Sequence, residues 1–147
     1  MRISTRGRYG LRAIVDIAAS ADNGGKCVTL KSIAERHGIS ENYLEQLIAA
    51  LKKAGYVRSV RGAQGGYVLN IMPGDVTAGE ILRALEGSMY PAECVGEGGA
   101  AGGNCGASCE NCVTRSVWEK LYNSLNDTLS SITLEDLVND YKKIQSK

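Results

Sequence analysis

Phenylalanine is absent from this chain, and tryptophan and histidine each occur once. Without phenylalanine, the core has to be assembled from Leu, Ile, Val and Ala, and such a core is modest in a chain of 147 residues. A single histidine, with no nucleophile and base arranged around it, argues against an enzyme. No stretch approaches the ~20 apolar residues that a membrane helix requires. The opening MRISTRGRYG carries charge with no apolar run behind it, so it does not read as a signal peptide. These absences lead us to expect a cytoplasmic protein with no membrane partner.

What is present is unevenly spread. Four of the five cysteines fall in CVGEGGAAGGNCGASCENC, Cys94 to Cys112, together with six glycines. In a reducing compartment, clustered thiols indicate metal binding or redox chemistry rather than structural disulfides. Charge is also divided. Residues 1–70 carry eleven Lys/Arg against five Asp/Glu, whereas residues 71–147 carry six against eleven. A basic first half suggests a nucleic-acid face. Two solvated faces of opposite sign would look the same, so the split carries little weight alone.

The apolar spacing predicts a helix over Arg6–Ser20, ended by DNGG. A short helix, LKSIAERHG, follows and stops at Gly38. Ser40 is placed to cap a third helix, ENYLEQLIAALKKAG. Two short helices joined by HGIS form a helix-turn-helix pattern. YVRSV and GYVLN then alternate like strands around the glycine-rich tip RGAQG, which predicts a hairpin. The fold class expected is therefore mainly α: a winged helix-turn-helix domain over residues 1–72. Residues 73–147 form the expected second region, with the cysteine loop and dimerisation helices. There Thr77 and Glu80 make a capping box for a helix to Glu86. Val113–Ser131 should be the longest helix, and LEDLVND a short last one before a frayed tail. Trp118, Leu121, Leu125 and Ile132 mark a seam suited to a partner helix, hence a homodimer. The same stripe could instead lie over its own domain.

A helix fits the major groove and offers its N-terminal residues to base edges. The candidates in the third helix are Glu41, Asn42, Tyr43, Glu45 and Gln46, with Lys52 suited to phosphate. On the hairpin they are Arg58, Arg61, Gly62, Gln64 and Gly65; Arg2, Arg6 and Arg8 would add phosphate contacts from the first helix. His37 reads as a surface or capping residue, and Cys27 as a small half-buried one.

STRGRYGLRAIVDIA, SIAERHGISENYLEQLIAALKKAGYVRSVRGAQGGYVL, TAGEILRALEG, CVTRSVWEKL and ITLEDLV together resemble the IscR/CymR/NsrR-type winged-helix regulators of bacterial transcription. The resemblance covers nearly the whole chain. It implies a homodimeric winged-helix regulator on a palindromic operator in double-stranded DNA, with the third helix in the major groove and the wing in the minor groove; of repression and activation, which the sequence does not separate, repression is taken first. Asn42, Glu45, Gln46 and Arg61 match the family's base-contacting positions. Thiolates at the spacings Cys94-x10-Cys105, Cys105-x3-Cys109 and Cys109-x2-Cys112 suit zinc or an iron–sulfur cluster equally. The resemblance favours the cluster, because cluster-binding members carry three cysteines here. Cys94 and Cys112 match the outer two and Cys105 is taken as the middle one, with Cys109 its competitor. Arg115 stands where one branch has a histidine ligand, and Arg8 where another has an aspartate. The fourth ligand is therefore assigned to Cys109. Of the two nuclearities, 2Fe-2S is taken ahead of 4Fe-4S. The alternatives are a thiol or zinc-based redox sensor, or a regulator of cysteine metabolism acting through a partner enzyme, as in the CymR branch.

Overall fold

The computed structural model describes residues 2–22, 24–97 and 111–147. Ser4 lies in extended backbone and its hydroxyl accepts from the Arg6 N–H, which starts α1 (Thr5–Ala21). α1 buries Ala13, Ile14, Ile17 and Ala18 at helical spacing. α2 (Leu30–His37) is capped by Thr29 and ends at Gly38 in the left-handed conformation; α3 (Glu41–Lys53) is capped by Ser40. Leu44, Leu47, Ile48 and Leu51 form the buried face of α3. Leaving each of these in water would cost roughly 1.5–3 kcal/mol.

β1 (Val57–Val60) and β2 (Gly66–Leu69) pair antiparallel, with Val57 opposite Leu69 and Val60 opposite Gly66. A bridge from Val28 to Tyr67 adds a contact that strand periodicity did not announce. Both backbone bonds of that pair form, at 3.0 and 2.8 Å. They tie the connection before α2 to the wing.

After a 3₁₀ turn at Pro73–Asp75 comes α4 (Ala78–Glu86), opened by the expected Thr77–Glu80 capping box. A second 3₁₀ turn, Glu93–Val95, leads toward the glycine-rich segment, and α5 (Arg115–Ser130) and α6 (Leu134–Gln145) follow. Thr133 and Asp136 form the capping box of α6. The segments before α4 and α6 also pair: the Ala78 N–H donates to Ile132 O and the Leu134 N–H to Val76 O, at 2.8 and 2.9 Å.

Two expectations at the C-terminal end are corrected. α5 is not the longest described helix, since it spans 16 residues against 17 in α1. Thr114 sits in helical backbone with no side-chain cap, so the helix starts two residues later than the apolar pattern implied. The tail is not frayed beyond LEDLVND. α6 continues to Gln145 because Tyr141 packs against the core and Lys142 pairs with Asp22.

One cluster of buried side chains draws on α1, α2, α3, β1, α4 and α6, with Leu134 and Val138 among them. α5 contributes no buried residue. α1 and α4 approach closely: a Cβ on Gly10 would lie 2.5 Å from the Leu85 side chain, so a larger residue there would have to displace that buried leucine.

Candidate nucleic-acid interface and thiol site

On α3, Asn42, Glu45 and Gln46 share one face by their spacing, and all three are exposed, as are Glu41 and Lys52. Tyr43 is half-buried. Its ring meets Tyr9 edge-on, with centroids 6.3 Å apart, and its hydroxyl lies 3.4 Å from Thr5 Oγ1. Tyr43 therefore joins the first turn of α3 to the first turns of α1. At the other end, Lys52 Nζ donates to Ser59 Oγ at 3.5 Å, so α3 is linked to the hairpin as well.

Arg58, Arg61, Gly62 and Gln64 are exposed on the wing, and Gly65 is partly covered. Gly62 has φ +113, and a Cβ on Gly65 would stand 2.3 Å from Val60 O. The tip is so tight that its backbone can pass close to another surface. Arg2 and Arg8 are exposed at the start of the chain. Arg6 is half-buried, and its Nε donates to Leu85 O at 2.7 Å, which holds α4 against α1.

His37, at the end of α2, is half-buried rather than fully exposed. Its Nε2 lies 3.1 Å from Asp16 Oδ2, and Arg36 bonds both oxygens of the same carboxylate at 2.9 and 2.8 Å. Asp16 is buried, and this triad ties α1 to α2. The hydrogen bond to Asp16 and its charge raise the Arg36 pKa. Asp16 lies on the apolar side of α1, and a charge at such a position was the available signal for it.

Cys94 sits in the Glu93–Val95 turn, which packs on α5. Cys112 lies just ahead of α5 and its Sγ is 3.3 Å from Thr114 Oγ1. That hydroxyl, the Thr114 and Arg115 backbone N–H groups and the Arg115 charge all favour the thiolate, so the Cys112 pKa is lowered. Both thiols are half-buried and free. The fold thus brings two soft donors to one helix, which fits a thiolate-bound cluster or zinc. Cys105 and Cys109 lie outside the described residues, and among the described residues no group of three or more ligating side chains comes together.

Trp118 and Leu121 are exposed along α5, as is Val117, while Leu125 and Ile132 are half-buried. No helix among the described residues is long and apolar enough to cross a membrane.

Residues 3–140 match the family model described as Rrf2, iron-dependent transcriptional regulator. The chain is 42% identical to the HTH-type transcriptional regulator CymR of Bacillus subtilis (strain 168), over 93% of this chain and 89% of that one. It is 41% identical to the regulator IscR of Cronobacter sakazakii, over 95% and 82%. Among solved structures, that of CymR, described as the global cysteine regulator of B. subtilis, superposes with a TM-score of 0.76 at 39% identity, covering 95% of this chain and 97% of that one. IscR of T. potens superposes at 0.77 with 45% identity, covering 99% and 91%. A helix-turn-helix with an exposed polar face, a wing with a glycine-bound tip and these matches across nearly the full length agree, and the chain belongs to the Rrf2 family of transcriptional regulators, DNA-binding proteins rather than enzymes.

Proposed function

We propose that this regulator is a homodimeric repressor that reads a palindromic operator and answers to an iron–sulfur cluster held by its cysteine loop. Residues 1–72 supply the DNA-binding unit, with Asn42, Glu45 and Gln46 at base edges and Arg61 in the minor groove. Lys52, Arg58, Arg2 and Arg8 contact phosphate. Residues 73–147 supply the sensor loop and the α5 surface that pairs two copies. The observation that carries the cluster reading is the placement of Cys94 and Cys112 at one helix, with Cys112 held toward its thiolate. Cys94, Cys105 and Cys112 would be ligands, with Cys109 as the fourth and 2Fe-2S the expected form. When bound, the group would supply a redox- and nitric oxide-sensitive charge beside α5. The chain's own part is to order the loop around it and pass its presence to the DNA-binding unit.

A second reading has support of its own: the likeness to CymR is as extensive as that to IscR. In that case the loop acts without a cluster, and regulation comes through a protein partner. Anaerobic purification with an absorption spectrum and iron and sulfide analysis separates the two. A coloured protein with stoichiometric iron that loses both in Cys112→Ala supports the first. A colourless, iron-free protein that stays so after reconstitution rejects it. Loss of the cluster's stability in Cys109→Ala would support the fourth ligand; an unchanged spectrum and lifetime would remove that assignment.

A further inference from the structure

Glu86 is the last residue of α4 and stands at the point where the chain leaves for the cysteine loop. Its carboxylate does not face solvent alone. One oxygen, Oε1, accepts from the Ser4 N–H at 3.0 Å, the Ser4 hydroxyl at 2.6 Å and the Gly7 N–H at 2.9 Å. These include donors at the N-terminus of α1, which have no carbonyl of their own helix to bond. A carboxylate there also meets the positive end of the helix dipole. The fit is close enough that a Cβ on Gly7 would fall 2.3 Å from Oε1. The same turn of α1 carries Thr5 and, one turn on, Tyr9. Those are the residues that touch Tyr43 on α3. Arg12 lies over the same Tyr9 ring, its Cζ 5.4 Å from the centroid.

We propose that Glu86 is a positioning residue for DNA recognition: by capping α1 it fixes the Tyr9–Tyr43 contact and so the angle at which α3 presents Asn42, Glu45 and Gln46. This deepens the proposed function and rests on α3 being the base-contacting helix. It also supplies a mechanical route from the cysteine loop. A pull on the loop is applied at Gly87, next to the cap, and reaches the first turn of α3 through this link in addition to the core that α1, α3 and α4 share. Arg6, bonded to Leu85 O, is a second tie at the same junction and keeps α4 in place when the cap is altered.

The test uses the full-length protein and the duplex that the wild type selects from a random-sequence library, with an unrelated duplex as the non-specific reference. Glu86→Ala should weaken binding to the selected duplex about tenfold and leave binding to the reference duplex within about twofold. Glu86→Gln keeps an acceptor and should recover most of the selectivity; it also serves if the alanine variant folds poorly. Tyr43→Phe should lose part of the same selectivity. The double variant should lose less than the two separate losses combined, because both act through one link. Wild-type selectivity in Glu86→Ala, with only a lower Tm, would reduce Glu86 to a stability cap and overturn this inference alone. So would full additivity with Tyr43→Phe. A wild type that selects no duplex would remove the base-reading role of α3, and this inference with it.

Discussion

Asp16 shows how a single buried charge can organise two helices. Its carboxylate is surrounded by Arg36 and His37 from α2, and it lies in α1 among Ala13, Ile14 and Ile17. Replacing it with alanine leaves Arg36 and His37 without their shared acceptor. Complete loss of a buried ion pair costs 3–5 kcal/mol, but Arg36 keeps 44% of its side chain in water. Asp16→Ala should therefore destabilise by about 2 kcal/mol in urea unfolding, and Asp16→Asn by less. A change within experimental error would show that the triad contributes no net stability.

At the scale of elements, the caps and the wing tip make separate predictions. Hydrogen bonds from the Thr133 backbone and hydroxyl hold the Asp136 carboxyl below its ordinary pKa. A depressed acid stabilises the folded state above its unfolded pKa, and that contribution is lost as pH falls through the folded value. The stability advantage of wild type over Asp136→Asn should be constant near neutrality and shrink once pH drops below about 4. Stability curves that stay parallel down to acid would contradict the cap. In the wing, a methyl at Gly65 would meet the carbonyls of Val60 and Gly62 at 2.3 and 2.9 Å. Those are backbone atoms of the tip itself, so the tip must open. Gly65→Ala should reduce operator affinity about tenfold, or about 1.4 kcal/mol, with little change in helix content by circular dichroism. Unchanged affinity would place the tip away from DNA.

At the scale of the molecule, α5 differs from every other α-helix of the described residues in contributing no fully buried residue. Val117, Trp118 and Leu121 remain exposed, and Leu129 lies over Gly79 of α4. A surface of this kind is expected to meet a partner, and two copies of the same helix satisfy each other. Leu121→Asp should yield a folded monomer by analytical ultracentrifugation, with weakened binding to a two-site operator and near-native binding to a half-site. A dimer that persists would assign pairing to another face. The fold itself should survive, since the buried cluster takes nothing from α5.

Much of this organisation was readable from short-range pattern. The helix-turn-helix, the hairpin and the Thr77 and Thr133 caps follow from apolar period, cap residues and glycine stops, each acting within a few residues along the chain. Cys94 and Cys112 are singled out by the family resemblance, anchored by LEG before the loop and CVTRSVW after it. Exposure of Asn42, Glu45 and Gln46 followed from the face they share. Tertiary packing decided the rest. The acceptor for Ser4 and Gly7 is Glu86, about eighty residues away. Asp16 finds Arg36 twenty residues on, Val28 joins the wing at Tyr67, and the tail is held helical by its contacts with the core and with Asp22. Period and capping fix where a helix begins and which face is apolar. They carry no term for which distant polar group will meet it, because that depends on the packing of α1 between α3, α4 and α6.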